Sequence, residues 1–219
     1  MERTIRLQVG ERTGEVEALL QAPANPRLLY IFAHGAGAGM RHLFMARMAA
    51  KLQELNAATL RYQFPYMQNG RGRPDVPAVL EATVRAAILA GQQEFPGVPL
   101  VAGGKSMGGR MTSQLLSKDH HLPVQALAFI GFPLHQPGKP SRTRAAHLFD
   151  VAHPMLFIQG TRDSLADISL IREVTSELGS KATLHVIEGA DHSFGVLKKS
   201  GRTNEDVLEE IARVIVDFA

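Results

Sequence analysis

The chain has 219 residues, 45% of them hydrophobic and none of them cysteine, with a formal net charge of +3. That length is enough for one large core, so a single domain over 1–219 is expected. The missing thiols exclude disulfides, a cysteine nucleophile and thiolate metal sites, and a small charge carried by scattered basic residues gives no reason to expect a nucleic-acid partner. No apolar run reaches the length of a membrane span, and the opening "MERTIRLQVG" has no apolar signal core, so a cytoplasmic location is expected. The nine histidines show no metal-ligand spacing; His120 and His121 read as surface residues, and neither a metal nor another cofactor is expected.

Along the chain, "TIRLQV" and "EVEALLQAP" alternate apolar and polar residues and read as an antiparallel edge hairpin. "RLLYIFAHG" is denser, as suits a strand buried on both faces. A helical pattern follows in "HLFMARMAAKLQEL", whose Met45 and Met48 read as core, and then the strand "AATLRYQF". "DVPAVLEATVRAAILAGQQEF" predicts a long helix with Asp75 as N-cap and Pro77 in its first turn. "VPLVAGG" is a strand and "MGGRMTSQLLSKD" a helix. "VQALAFIGF" and "PMLFIQG" are strands separated by a polar stretch from Pro133 to His153. "DISLIREVTSELG" is a helix ending at Gly179, "ATLHVIEG" the last strand and "TNEDVLEEIARVIVDFA" the last helix. The alternation predicts an α/β fold: a mainly parallel twisted sheet with helices on both faces. Ligands then bind beyond the carboxyl ends of the strands, which draws attention to the loops that follow strands.

One of those loops, "GGKSMGGR", allows two readings. Gly104-Lys105-Ser106 matches the tail of a phosphate-binding loop, but the position that motif needs as its first glycine is Pro99, which has no N–H and a fixed φ. Gly104-Lys105-Ser106-Met107-Gly108 also matches G-x-S-x-G, in which a sharp strand-to-helix turn exposes the serine hydroxyl. The pattern is common by chance; the buried strand before it and the helix after it favour Ser106 as a nucleophile. Such a hydroxyl needs a base, and His192 follows the last strand in "EGADHSF". Asp163, just past "MLFIQG", supplies the acid and completes the chain order Ser, Asp, His. Asp167 reads instead as the N-cap of the next helix, Asp150 lies at the wrong end of its strand, and Asp191 is too close in sequence to His192. An oxyanion hole would take the N–H of Met107 and one from "HGAGAG", with Ala36 preferred and Gly37 next; His34 reads as a structural residue bonding that loop. "GAGAGM" fails as a dinucleotide fingerprint because Met40 stands where the third glycine belongs.

The stretches "FAHGAGAGM", "RYQFPY", "GGKSMGGRM", "GFPLH", "IQGTRD" and "GADHSF…LKKSGRT", from Phe32 to Thr203, together resemble the α/β-hydrolase superfamily. They are most similar to its small lidless branch, named for a testis-expressed protein and for the third subunit of the NSL chromatin complex. The resemblance to dienelactone-hydrolase-type and acyl-thioesterase proteins is looser. It implies the α/β-hydrolase fold without a cap domain, and Ser106, Asp163 and His192 as a triad. The function expected is hydrolysis of a small carboxylic ester or thioester by a serine esterase, with a small acyl compound as its partner. The same triad would serve a peptidase or an acyltransferase. A non-catalytic interaction domain is the rival, because the chromatin-complex member is a scaffold component; Lys198, Lys199 and Arg202 would then mark a contact surface. For substrate contacts, Lys105 and Arg61, with Arg71 and Arg73, could favour anionic substrates or simply be solvated charges. Phe64, Pro65, Tyr66 and Met67 could wall an acyl pocket.

Overall fold

The computed structural model describes residues 2–219. Eight strands form one sheet: β1 (Glu2–Gly10), β2 (Gly14–Gln21), β3 (Leu28–Ala33), β4 (Ala57–Tyr62), β5 (Leu100–Lys105), β6 (Ala126–Ile130), β7 (Met155–Gly160) and β8 (Ala182–Ile187). Their order is β1-β2-β4-β3-β5-β6-β7-β8. The hairpin β1–β2 is antiparallel and β2 joins β4 antiparallel, whereas β4 through β8 run parallel. The dense apolar strands are the ones buried on both faces: every residue of β3, β4, β6 and β7 is buried.

The helices are α1 (Leu43–Glu54), α2 (Pro65–Gln68), α3 (Pro77–Glu94), α4 (Met107–Leu116), α5 (Ile168–Leu178) and α6 (Asn204–Phe218). Strand alternation divides the interior in two. Leu29, Ile31 and Phe129 pack with α3, α4 and α5, whereas Tyr30, Phe32 and Ile130 pack with α1 and α6. Among the described residues no helix is long and apolar enough to cross a membrane.

Side-chain N-caps form on α1, α5 and α6 and not on α2, α3 or α4. Asp167 caps α5 by accepting from the Ser169 amide, Gly179 ends it at φ 62°, and Thr203 caps α6 in a capping box with Asp206. Asp75, expected to cap α3, does not. Val76 holds that position ahead of Pro77, and the Asp75 carboxylate accepts from the Tyr66 amide at 2.7 Å and pairs with Arg71 at 3.3 Å. The stretch from Pro133 to His153 forms only a 3-10 segment, Thr143–Asp150. It lies against α4 through His147 Nε2 and Ser113 Oγ, 2.8 Å apart, and adds no cap over the carboxyl edge of the sheet.

Candidate active site

Ser106 sits between β5 and α4 with φ 52° and ψ −119°. A non-glycine residue at positive φ stores strain of order 1–3 kcal/mol, held here by the packing on both sides of the turn. That packing needs glycine at 108: a Cβ there would lie 2.6 Å from the Ala33 carbonyl oxygen, so the start of α4 rests directly on the end of β3.

Three strand ends bring the expected residues together. Ser106 Oγ lies 2.9 Å from His192 Nε2, and His192 Nδ1 lies 2.7 Å from Asp163 Oδ2. Asp163 is buried and follows β7; its Oδ1 accepts from the Leu165 amide at 2.8 Å. Asp191 is not part of this chain of bonds. Its Oδ1 accepts from the Ser193 and Gly195 amides at 2.8 and 2.9 Å, which folds the loop carrying His192. Sequence reasoning missed Gln159. Its Nε2 donates to Asp163 Oδ2 at 2.6 Å from within β7, and its Oε1 is buried without a partner among the described residues. The available signal was one polar residue inside the apolar run "MLFIQG".

The loop after β3 curls beside the serine. Among the described residues no hydrogen bond engages the Ala36 or Met107 amide, whereas the Gly37 amide donates to Tyr66 Oη at 3.1 Å and so is already committed. His34 is buried, and its ring bridges loop backbone: the Nδ1–H donates to the Gly35 carbonyl at 2.7 Å and Nε2 accepts from the Phe64 amide at 3.2 Å. Burial pushes its pKa down to about 4, so the ring stays neutral in this bridging role.

A cleft of about 340 Å³ opens beside Ser106 and His192, walled by Ala36, Ala38, Phe44, Met45 and Leu165. A second groove of about 210 Å³ continues from it, sharing His42, Phe44 and Ser193 and running past Leu43 toward Leu208.

Several expected substrate contacts lie elsewhere. Arg61 is 1% exposed and does not line the cleft; its guanidinium pairs with Glu2, and the same nitrogen donates to Gln21 Oε1 at 3.0 Å. Leu60 and Tyr62 face the α3 side of β4, so alternation turns Arg61 to the opposite face. Phe64 and Tyr66 are fully buried against His34 and brace the glycine loop from behind rather than lining the cleft. Lys105 does line the cleft, but its ammonium donates to the His192 carbonyl at 2.6 Å. Arg71 and Arg73 border a separate groove with Pro74 and Val76. Among the described residues no group of three or more metal-ligating side chains converges.

The α/β-hydrolase domain family matches residues 26–219, and the chain belongs to that family. Among solved structures it is similar to a lidless α/β serine hydrolase from Xanthomonas campestris, with 20% identity, TM-score 0.77, and coverage of 99% of this chain and 94% of the other. It is similar also to a dienelactone hydrolase from Anabaena variabilis (19%, TM-score 0.74, 97% and 95%) and to the esterase domain of a Rhodothermus marinus protein (16%, TM-score 0.74, 100% and 98%). At these identities the likeness establishes the fold. Two Mycobacterium tuberculosis proteins named "Putative phosphoribosyl transferase" are 25% identical over 203 residues, 91% of this chain. The chain spans only 42% of their length, and their name describes those longer proteins.

Proposed function

We propose that the protein is a serine hydrolase that cleaves a small carboxylic ester or thioester through an acyl-enzyme on Ser106. The observation that carries this reading is the unbroken series Ser106 Oγ, His192 Nε2, His192 Nδ1, Asp163 Oδ2, with links of 2.9 and 2.7 Å. His192 takes the Ser106 proton as Oγ attacks the carbonyl carbon. Asp163 holds the proton on Nδ1 and stabilises the imidazolium that forms. The uncommitted Met107 and Ala36 amides bind the oxyanion, each such donor typically contributing about 10²–10³ in rate. His192 then gives its proton to the departing alcohol or thiol. Water, activated by the same imidazole, attacks the acyl-enzyme and releases the acid and free Ser106.

The apolar cleft wall supports an uncharged acyl group, and the engagement of Lys105 and Arg61 speaks against selection for acidic esters. Each methylene buried from the cleft into the Leu43–Leu208 groove would contribute about 0.8 kcal/mol, so kcat/KM should rise roughly fourfold per carbon until the groove is full. Placement in the testis-expressed and NSL-subunit branch rests on the six motifs between Phe32 and Thr203.

Labelling by a fluorophosphonate tests the reading. Wild-type protein labels and Ser106→Ala does not; equal labelling of the two would remove Ser106 from the role. A p-nitrophenyl ester series from acetate to octanoate tests the acyl preference, which fails if acetate is the best substrate.

A further inference from the structure

Ser106 and His192 belong to strands that are not neighbours. In the order β5-β6-β7-β8, two strands separate the one preceding Ser106 from the one preceding His192. At about 4.8 Å per strand, that is roughly 14 Å between strand axes. The 2.9 Å contact between Oγ and Nε2 therefore depends on how the loop after β8 leans back across the sheet edge.

Lys105, the last residue of β5, reaches along that edge. Its Nζ donates to the His192 carbonyl at 2.6 Å and lies 5.4 Å from the centre of the Phe194 ring. Its path crosses the end of β6 at Gly131, which has φ 69° and no side chain; a Cβ there would sit 3.1 Å from Nζ and 3.3 Å from the Phe194 ring. Phe194 itself has φ 63°, a conformation that costs a non-glycine residue energy and turns its ring beneath the ammonium.

The charged and titratable groups around Lys105 come from two of the packed elements. Asp163 follows β7, and Asp191 and His192 follow β8; the end of β6 offers only Gly131, and the β3 loop brings Gly35 against the lysine stem. The ammonium thus lies within electrostatic reach of the Asp163 and Asp191 carboxylates. Burial pushes its pKa down to about 8, with Asp163 and then Asp191 opposing that shift.

We propose that Lys105 is a positioning residue that ties the His192 loop to the strand carrying the nucleophile, across the glycine at the end of β6, and so holds the imidazole at bonding distance from Ser106. This deepens the hydrolase reading and rests on it. Its ammonium bonds the His192 backbone carbonyl and not the Ser106 hydroxyl or the imidazole, so it acts through the loop that carries His192. A displacement of about 1 Å at a reacting group can cost about a hundredfold in rate. Loss of the tether should therefore lower kcat ten- to hundredfold and leave KM within about twofold.

The absence of native cysteine permits a clean test. Lys105→Cys is alkylated with 2-bromoethylamine, which restores an amine at the end of a side chain of lysine's length but with a thioether in it. Lys105→Met serves as the neutral comparison, and circular dichroism checks that each variant is folded. The expected results are a ten- to hundredfold loss of kcat in Lys105→Met and in unalkylated Lys105→Cys, with recovery on alkylation. Wild-type kcat should fall above about pH 8, and the alkylated protein, whose thioether-bearing amine is the weaker base, should lose activity at lower pH. Unchanged kcat in Lys105→Met, or no recovery on alkylation, overturns the proposal. Amide hydrogen exchange supplies an activity-independent reading: exchange between Asp191 and Gly195 should rise at least tenfold in Lys105→Met. If Ser106 proves inert toward both fluorophosphonate and esters, the hydrolase reading has failed, and the exchange result alone then decides whether the tether exists.

Discussion

Replacing Asp163 by Asn changes one atom and reverses the polarity of its bond to the His192 ring, the proposed base. In the native site Oδ2 accepts twice, from Gln159 Nε2 at 2.6 Å and from His192 Nδ1 at 2.7 Å, while Oδ1 accepts from the Leu165 amide at 2.8 Å. An asparagine has one oxygen, and the fixed Leu165 N–H claims it. The new NH₂ then faces Gln159 and His192. Gln159 can answer by turning over, because its Oε1 has no partner to lose. His192 can answer only by moving its proton to Nε2, which leaves no lone pair toward Ser106. The stability loss should be small, about 1–2 kcal/mol, the difference between charge-assisted and neutral hydrogen bonds. In a chain of this size that is about 2–4 °C in Tm per kcal/mol. The kinetic loss should be large, about 10⁴ in kcat, or roughly 5.4 kcal/mol in the barrier. Initial rates on a p-nitrophenyl ester, with Ser106→Ala as background, and thermal denaturation measure the two separately. Activity within tenfold of wild type would refute the assigned role of Asp163.

Gly108→Ala should prevent stable folding or destabilise the protein by several kcal/mol, since its Cβ would press to 2.6 Å from the backbone oxygen of Ala33, which cannot yield as a side chain would; soluble, wild-type-like unfolding curves would contradict the packing. Lys105 should impose a pH-dependent stability. Its folded pKa of about 8 lies below the ordinary lysine value of 10.5, so between those values the unfolded chain binds the extra proton. The burial penalty is therefore complete below about pH 8 and disappears as pH rises toward 10.5, making this residue's contribution more favourable with pH. Urea titrations at pH 7, 9 and 10.5 should show the wild type gaining on Lys105→Met across that window; a pH-independent difference would show that the lysine is not desolvated in the fold.

The sheet was legible because parallel strands buried on both faces must be apolar at nearly every position, and runs such as "LLYIFA" and "MLFIQG" have no other use in a polar-surfaced chain. The candidate triad was legible for a related reason: in such a sheet each chemical group follows a strand, so chain order and loop position constrain it strongly. Side-chain direction was less accessible. Arg61 lies in a strand whose residues alternate between two cores, and its partner Glu2 comes from an edge strand that no local pattern connects to it. Phe64 and Tyr66 have the composition of a pocket wall, yet His34 draws them behind the glycine loop. Asp75 has the chemistry of a cap, but Arg71 and the Tyr66 amide compete for it.

The same distinction separates the two roles of position 105. From sequence, a lysine beside a nucleophile reads as a charge offered to substrate. In the fold, its ammonium is occupied by the His192 carbonyl, and the space it crosses exists only because residue 131 is glycine. The two effects of raising pH then have opposite signs. Deprotonation relieves the cost of burying the charge and stabilises the fold, while on the proposed tether it should weaken the tie to the His192 loop and slow turnover. A protein whose stability and kcat fell together above pH 8 would be unfolding; one whose stability rose as kcat fell would be losing a held imidazole.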